Sequence, residues 1–544
     1  MLDTHEAETV WPGNNIEIDT TVYSSVVEMF EGAFNTYPDK TAFVGVGGSL
    51  TYAEVDRLSR DFAAYLQVEL GVKKGDRIAL MAPNLLAFPV AMLGILRAGA
   101  VQVNVNPMYT PHELDHQLND AGAEIIVIFT GSTPTLAEIV QNTPIKTTIA
   151  VSLGDATPAT IPSPPVDARL ENVLQFGELL DAGEELDFVA PDITGEDLIF
   201  LQYTGGTTGL SKAAVLSHAN LIANTEQVKI ALPEAMRPGE EVIVTPLPLY
   251  HIFALMVNMI TYSSLGATNY LVANPRDPAQ LIGAYRDSKF TVSTAVNTLI
   301  AGLLAHPEFK TIDLSNYRAM IGGGAPVQEA VSNRWKEATG HHVLEGYGMS
   351  ETSPVLTLNP MGGEGFSAAV GHALPSTDII LLDDEDNIVA TGEAGEVCVK
   401  GPQVMQGYWN RPEETASNFT DDGYFRTGDI GVFDDTGLLK IVDRKKDMVL
   451  VSGFNVYPNE IEAHVAILDQ VAECAAVGVP DEKTGEAIRL FLALAPGAEL
   501  TEAQVIAHCR EGLAGYKVPK QIRFLDELPK STVGKILRKD LREV

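Results

Sequence analysis

The chain has 544 residues, 45% of them hydrophobic and 20% charged, and its formal net charge at pH 7 is −35. A chain of this length exceeds what one hydrophobic core accommodates, so we expect at least two domains. The acidic excess argues against nucleic-acid binding and against electrostatic docking on anionic lipid, because both require clustered positive charge.

The cysteines and the apolar runs indicate a cytoplasmic protein. Cys398, Cys474 and Cys509 lie far apart in the sequence, which argues against a disulfide framework or a cysteine-rich zinc site. The acidic start, "MLDTHEAETVWPG", lacks the basic and apolar regions of a secretory signal. The most apolar runs, near 79–105 and 253–272, are interrupted by Pro, Asn, Arg or Gly, which argues against membrane spans.

The first predicted elements alternate between helix and strand. The stretch "LTYAEVDRLSRDFAAYLQVELG" has the helical period, with one apolar face formed by Val55, Leu58, Phe62 and Leu66. Thr51 and Glu54 have the spacing of a capping box at its start. A strand at 77–81, a helix and a second apolar run at 101–105 follow. This alternation predicts an α/β fold of layered sheets and helices.

The next stretch, "HELDH" at 112–116, has the spacing of a zinc-protease helix, which places His112 and His116 on one helical face. Pro111 suits the first position of a helix. The alternative is a solvated amphipathic helix without a metal. No strong third ligand follows in the sequence, and this favours the second interpretation. Further on, the proline-rich segment 155–168 predicts a surface loop.

The stretch "QYTGGTTGLSKAA", residues 202–214, predicts a phosphate-binding loop. Glycines let backbone N–H groups crowd an anion, and threonine hydroxyls add donors. It is not a Walker A loop, because that motif requires Gly-Lys-Ser/Thr in succession. Here Lys212 stands between Ser211 and Ala213.

Charge divides unevenly between the two ends of the chain. From Lys440 onward there are 15 basic and 16 acidic residues, whereas the preceding residues hold 22 and 56. This difference predicts a small separate C-terminal domain with another kind of surface. It begins with a dense group of charges in "IVDRKKDMVLVSG", as expected of a hinge between domains.

Motifs along most of the chain resemble those of the adenylate-forming superfamily, which includes acyl-CoA synthetases, luciferases and peptide-synthetase adenylation domains. Besides "YTGGTTGLSKAA" they are, in order, "PLPLYHIFAL" (246–255), "GGGAP" (322–326), "EGYGMSETSP" (345–354), "GYFRTGDI" (423–430), "DRKKDMVLVSGFNVYPNEIE" (443–462) and "PKSTVGKILRK" (529–539). Within the superfamily the motif sequences are most similar to those of bacterial long-chain fatty-acid–CoA ligases, notably in "NVNPMYTPHELDHQLND" (104–120).

The resemblance implies a fold and a reaction. It implies a large N-terminal ATP- and acyl-binding domain, 1–443, a hinge at 444–446, and a small mobile α+β lid domain, 447–544. In such enzymes a fatty carboxylate attacks the α-phosphorus of ATP, pyrophosphate leaves, and the thiol of CoA then displaces AMP. Two anions meet in the first step, so neutralisation by cations, Mg²⁺ included, is the main catalytic demand.

The resemblance also implies the nucleotide-binding residues. The ATP phosphate loop would be Thr204, Gly205, Gly206, Thr207, Thr208, Gly209 and Lys212. Adenine and ribose would lie against Gly323, Gly324, Ala325, Gly346, Tyr347, Asp429 and Arg444. Glu351 would hold Mg²⁺, Ser350 would contact the α-phosphate, and His251 would lie near the pyrophosphate end of the acyl entrance. The family commonly has threonine where Ser350 stands, so the hydroxyl is kept and the rigidity of a β-branched side chain is lost.

Lys535 is implied to be the catalytic lysine, inserted between the carboxylate and the α-phosphate. An ammonium is a compact charge with three donors, which suits a bridge between two oxyanions. CoA could not enter while Lys535 fills the mouth, so the small domain would rotate about Lys446. That rotation would present the CoA-binding candidates, which are Ser452, Gly453, Phe454, Arg510 and Lys517.

Substrate preference is the least determined part of the sequence. The runs 252–266 and 293–304 are apolar enough to line an acyl channel, or they are ordinary core. Resemblance to the long-chain enzymes predicts medium- to long-chain fatty acids. A medium-chain or aryl-acid CoA ligase and a non-catalytic acyl-nucleotide sensor remain as alternatives. The resemblance also allows a homodimer and loose contact with the inner face of the membrane.

Overall fold

The computed structural model describes residues 16–204, 211–363, 365–452, 454–481, 483–531 and 534–542. The predicted succession of helix and strand is present over residues 52–104, and between residues 16 and 217 the two kinds of element mostly alternate: α1 (Val26–Thr36), β1 (Thr41–Gly45), β2 (Gly48–Thr51), α2 (Tyr52–Val68), β3 (Arg77–Met81), α3 (Ala87–Arg97), β4 (Val101–Asn104), α4 (Pro111–Ala121), β5 (Ile125–Phe129), α5 (Thr133–Ile139), β6 (Thr147–Val151), β7 (Leu174–Gln175), α6 (Phe176–Gly183), β8 (Leu198–Thr204) and β9 (Lys212–Ser217).

Local sequence signals explain several of these boundaries. Thr51 and Glu54 form the predicted capping box, in which each side chain bonds to the other residue's backbone N–H. Pro111 occupies the first turn of α4, and a second capping box joins Thr110 to Glu113. Residues 155–168 contain neither helix nor strand, as the prolines predict.

The middle of the chain continues the alternation: α7 (His218–Ala231), β10 (Val242–Thr245), a π-helix (Ala254–Thr261), α8 (Tyr262–Ser264), β11 (Thr268–Leu271), α9 (Pro278–Ser288), β12 (Val292–Ala295), α10 (Asn297–Ala305), β13 (Ala319–Gly322), α11 (Glu329–Thr339), β14 (Leu344–Gly348), β15 (Val355–Leu358) and β16 (His372–Ala373). The π-helix was not predicted. Such wide helices are rare and occur frequently at functional sites.

Strands dominate the last third: β17 (Asp378–Leu382), β18 (Gly395–Lys400), α12 (Pro412–Ser417), β19 (Phe425–Phe433), β20 (Leu439–Arg444), β21 (Val449–Val451), β22 (Phe454–Val456), α13 (Pro458–Val465), β23 (Val471–Asp481), β24 (Gly485–Leu494), α14 (Glu502–Gly512), β25 (Gln521–Phe524) and α15 (Arg538–Arg542).

Within the described residues these strands form four sheets, with the orders β16-β15-β14-β13-β12-β10-β11-β1-β2, β7-β6-β5-β3-β4-β8-β9, β17-β18-β19-β20 and β22-β21-β24-β23, the last joined by β25 on β24. The first two are mostly parallel, with helices between successive strands. The α/β fold class is therefore confirmed.

The hydrophobic cores divide where the charge composition changes. A large cluster draws on residues from Val26 to Leu439. The apolar side chains from Val449 to Leu541 form two clusters of their own, one on each face of the C-terminal sheet. The C-terminal part therefore buries an apolar core without borrowing from the rest, as a separate α+β domain does.

None of the helices in the part of the chain described here combines the length and the apolar character needed to cross a bilayer.

Candidate active site

A cleft of about 2350 Å³ lies where the sheets of the large portion face the C-terminal part. Its lining brings together residues that are hundreds of positions apart, including Thr204, His251, Tyr347, Asp429 and Lys535. All five belong to the motifs singled out in the sequence. The fold therefore gathers the separate motifs at one place.

Asp429 and Arg444 meet through strand pairing. In the antiparallel pair β19–β20 they are direct partners, and the Arg444 Nε lies 3.2 Å from the Asp429 Oδ1. The Tyr347 hydroxyl donates to the other carboxylate oxygen at 2.6 Å. Burial and the neighbouring carboxylate raise the pKa of Tyr347, so the phenol stays protonated. Asp429 is a fixed acceptor on the cleft wall, as binding a ribose diol requires.

The glycine-rich turn after β13 forms a neighbouring part of the wall, and Gly323, Gly324, Ala325 and Gly346 all line the cleft. Gly324 has φ +78°, a conformation that favours glycine. A Cβ on Gly323 would lie 3.1 Å from the ring of Phe253. The turn thus presents backbone edges to the cleft without side chains, which suits close approach of a flat base.

Glu351 follows β14 in a short 3₁₀ helix with Ser350, and both line the cleft. The Glu351 carboxyl is 5% exposed, and its Oε1 accepts a hydrogen bond from the Tyr408 hydroxyl at 2.9 Å. Burial raises the pKa of this carboxyl. Tyr408 was not predicted, because nothing in its local sequence shows that it contacts a residue 57 positions away.

The donor set fits Mg²⁺. Among the described residues no group of three or more His, Cys, Asp or Glu side chains could hold a metal alone. Mg²⁺ is commonly held by one or two carboxylates together with water and substrate phosphates. Glu351 keeps acceptor capacity beyond its bond to Tyr408, so it could supply such a carboxylate.

The ends of the predicted phosphate loop reach the same cleft. Thr204 closes β8 and pairs with Lys212, the first residue of β9. The Lys212 Nζ lies 2.6 Å from the Glu414 Oε2 and above the ring of Tyr408. The loop residues Gly205, Gly206, Thr207, Thr208 and Gly209 lie outside the described residues.

Lys535 enters the cleft from the C-terminal part, and its side chain is exposed there. The preceding Gly534 packs against the start of α10: a Cβ on it would lie 3.1 Å from the Thr298 Oγ1. The surrounding protein and the charge of Arg444 lower the pKa of Lys535 to about 8. Burial and the charge of Lys535 lower the pKa of His251 to about 4, so His251 is neutral near pH 7.

The CoA-binding candidates lie elsewhere. Of the described residues Ser452, Phe454, Arg510 and Lys517, none lines the cleft, and Gly453 is outside the described residues. The Phe454 ring is 55% exposed and stacks on Tyr516 with 4.7 Å between ring centroids. Lys517 forms an ion pair with Glu460 at 2.6 Å. In this pose these candidates and the nucleotide candidates occupy different surfaces.

Part of the cleft lining is apolar. Ile252, Phe253 and Val257 contribute to it from the first predicted acyl segment, and Val296 and Ala301 contribute to it from the second. Most other positions of the π-helix are fully buried core, which was the alternative. Val228 of α7 and Leu232, directly after the helix, also line the cleft and were not predicted. Their spacing of four residues, about one helical turn, is the signal that could have identified them.

The "HELDH" stretch is a helix, as both interpretations required. Leu114, Gln117 and Leu118 are buried, and His112 is exposed. The His116 Nε2 lies 2.8 Å from the carbonyl oxygen of Ser211. Helix α4 is therefore amphipathic, with His112 exposed to solvent and His116 hydrogen-bonded to the neighbouring chain.

Comparison with known proteins identifies relatives over nearly the whole chain. The model of the AMP-binding enzyme family matches residues 30–409, and that of the AMP-binding enzyme C-terminal domain matches 460–535. The chain is 49% identical to a long-chain-fatty-acid–CoA ligase of Salmonella typhimurium, covering 97% of this chain and 96% of that protein. It is 44% identical to one of Haemophilus influenzae, covering 98% of each.

The crystal structure of the anthranilate CoA ligase AuaEII with anthranoyl-AMP superposes with a TM-score of 0.87 at 25% identity, covering 97% of this chain and 98% of that one.

Proposed function

The chain belongs to the family of AMP-binding enzymes, and from this premise we propose that it activates a fatty acid to its CoA thioester through an acyl-adenylate, releasing AMP and pyrophosphate. One observation carries the proposal. Lys535 lines the same cleft as the Asp429–Arg444 pair, and part of that lining is apolar. A positive side chain, a nucleotide-binding wall and room for an alkyl chain are the parts that this reaction requires.

In the first half-reaction the nucleotide is held by the large portion. Asp429, fixed by Tyr347 and Arg444, accepts the ribose hydroxyls. Thr204, Lys212 and the loop between them bind the β- and γ-phosphates. Mg²⁺, when bound through Glu351, supplies further neutralisation of the phosphate charge.

Lys535 acts where the two anions meet. Its ammonium bridges an oxygen of the fatty carboxylate and an oxygen of the α-phosphate, which lowers their repulsion as the new oxygen–phosphorus bond forms. Ser350 donates its hydroxyl to the α-phosphate. His251 is neutral near pH 7, so it offers a hydrogen bond at the acyl entrance without adding a second charge beside Lys535.

The second half-reaction needs another pose. We place the domain boundaries at 1–443 and 447–544 with a hinge at 444–446, which agrees with the separate cores of the two parts. Rotation at Lys446 withdraws Lys535 and brings the surface with Ser452 and Phe454 to the cleft. Gly453 lets the pantetheine arm pass the backbone, and Arg510 and Lys517 bind CoA phosphates.

The substrate is a medium- to long-chain fatty acid. The support is the apolar part of the cleft lining together with the activity of relatives that are 44–49% identical over nearly their whole length. Each buried methylene contributes about 0.8 kcal/mol, so a long channel selects strongly for chain length. Contact with the inner face of the membrane, where such substrates arrive, and a homodimer belong to the proposal and rest on the resemblance.

An assay of AMP release tests the activity. The purified protein is incubated with ATP, Mg²⁺, CoA and saturated acids of four to eighteen carbons, with aromatic acids in parallel. We expect CoA-dependent AMP release that is greatest with the longer chains. Highest turnover with an aromatic acid would favour an aryl-acid CoA ligase, as in AuaEII. Binding of ATP and oleate without turnover would favour the sensor.

A further inference from the structure

Helix α4 contacts the chain on both sides of residues 205–210. Toward its middle, the His116 Nε2 lies 2.8 Å from the Ser211 carbonyl oxygen. A carbonyl only accepts, so the ring nitrogen donates. Ser211 directly precedes Lys212, so this bond fixes the backbone immediately outside the β9 end of the loop.

One turn later, Asp120 reaches the chain on the other side. Its Oδ2 accepts the hydroxyl of Tyr203 at 2.8 Å, and its Oδ1 accepts from the Arg411 Nη2 at 2.6 Å. The Asp120 side chain is only 10% exposed. Burial and this carboxylate raise the pKa of Tyr203, which keeps the phenol as a donor. Tyr203 directly precedes Thr204, so Asp120 fixes the β8 end.

The geometry follows from the helix period. Residues four apart lie on the same face of an α-helix, so His116 and Asp120 contact Ser211 and Tyr203 from one face of α4. His112 has the same spacing from His116 but lies at the exposed start of α4. The segment that supplies Arg411 also supplies Tyr408, whose hydroxyl holds Glu351. The contacts thus connect both ends of the loop to the carboxylate assigned to Mg²⁺.

We propose that His116 and Asp120 are positioning residues for the ATP phosphates. They hold Tyr203 and Ser211, the residues directly before Thr204 and Lys212, in one geometry, so that donors meet the β- and γ-phosphates without reorganisation when ATP binds. This inference rests on the proposed function of Thr204 and Lys212 as phosphate ligands. Hydrogen-bond donors that are already fixed in position bind an anion more tightly than mobile donors, because no free energy is spent on ordering them when the anion binds.

Two matched pairs of variants test this role. His116→Ala removes the bond to Ser211, and Asp120→Asn replaces one of the two carboxylate oxygens that hold Tyr203 and Arg411 by an N–H donor. His112→Ala and Asp115→Asn make the same chemical changes on the same helix; Asp115 accepts a hydrogen bond from Asn119 within α4. For the first pair we expect the KM for ATP to rise roughly three- to tenfold, the effect of losing about one hydrogen bond. The control pair should stay at the wild-type value.

Further measurements distinguish a loss of ATP-phosphate positioning from a general loss of folding stability. The KM for the fatty acid and the rate of thioester formation from supplied acyl-AMP should stay within about twofold of wild type in all four variants, because neither involves the β- and γ-phosphates. His116→Gln, which places an amide N–H near the same carbonyl, should recover most of the ATP affinity. Thermal unfolding midpoints identify any variant that is simply unstable.

The proposal is overturned if His116→Ala and Asp120→Asn keep the wild-type KM for ATP, or if the control pair shows an equal rise. It is also overturned if both half-reactions decline together. ATP affinity is measured in parallel by calorimetry, which requires no turnover. A wild-type protein that binds ATP but releases no AMP would refute the proposed activity, while the affinities of the four variants would still decide the role of α4.

Discussion

Lys535 combines two properties that oppose each other in most proteins, since its side chain is exposed to the cleft while its pKa is lowered to about 8. The surrounding protein is the main cause, and Arg444 adds repulsion. The negative charge of a bound nucleotide would oppose both effects and raise the pKa of Lys535 again. Binding of ATP therefore favours the protonated side chain that the proposed bridge requires.

Substitution of Lys535 tests its assignment. Lys535→Ala should lower the rate of acyl-adenylate formation by roughly 100-fold or more, the effect of losing a major stabiliser of transition-state charge. Thioester formation from supplied acyl-AMP should remain close to wild type. Single-turnover measurements of each half-reaction check this, with Lys539→Ala as a control on the same segment. An equal loss in both half-reactions would contradict the role.

The pH dependence should differ between the half-reactions. Below about pH 8 Lys535 is an ammonium and above it an amine, so the adenylation rate should fall as pH rises through 8 and beyond. Bound ATP moves this fall to higher pH because its charge stabilises the ammonium. Thioester formation should instead rise with pH, since more CoA is thiolate. Parallel alkaline losses in both rates would refute this interpretation.

At the scale of elements, local signals were predictive and long-range pairing was not. The capping box of α2 and the strand β3 could be predicted because their signals lie within a few residues. The register that sets Asp429 opposite Arg444 and the bond from Tyr408 to Glu351 depend on contacts between distant segments. The family motifs supplied Asp429, Arg444 and Glu351 without their geometry, and they did not supply Tyr408.

The π-helix has a property that periodicity could not predict. A heptad or 3.6-residue pattern presumes normal helical winding. Over 254–261 the wider winding changes which side chains face the cleft, and Val257 is the one that lines it. A prediction from apolar content alone therefore included core residues and channel residues together.

Val257 should consequently influence chain-length preference. Val257→Phe places extra carbon atoms at the apolar part of the cleft lining, and each methylene that no longer fits costs about 0.8 kcal/mol, roughly fourfold in binding. We expect kcat/KM to fall for sixteen- and eighteen-carbon acids relative to eight-carbon acids. Val257→Ala, which adds space, should not show this fall. Unchanged profiles in both variants would remove Val257 from the channel.

At the scale of the whole molecule, the charge composition predicted where the chain divides into two parts, but it did not predict how those parts are arranged. The change in charge balance near Lys440 lies close to the division between the hydrophobic cores, because a part that folds on its own core also presents its own surface. How that part sits over the cleft could not be predicted. It depends on contacts such as that of Gly534 with Thr298, which pair small residues without any distinctive local pattern.

The proposed hinge gives a prediction at this scale. Lys446→Pro restricts φ at one residue and constrains the residue before it. We expect the second half-reaction to slow more than the first, because only the second requires rotation from the pose described here. Lys446→Ala, which removes the charge and leaves the backbone free, should keep the wild-type ratio of the two rates. A proline variant with that same ratio would place the hinge elsewhere.

Arg444 contacts the Asp429 carboxylate at 3.2 Å and stands two residues before Lys446. A torsional change at Lys446 therefore acts next to one of the two side chains that we propose to bind the ribose of the nucleotide. Escape of AMP would then be timed by the same motion that admits the thiol. The enzyme would retain its activated intermediate until an acceptor is in place, and water would have little opportunity to consume it.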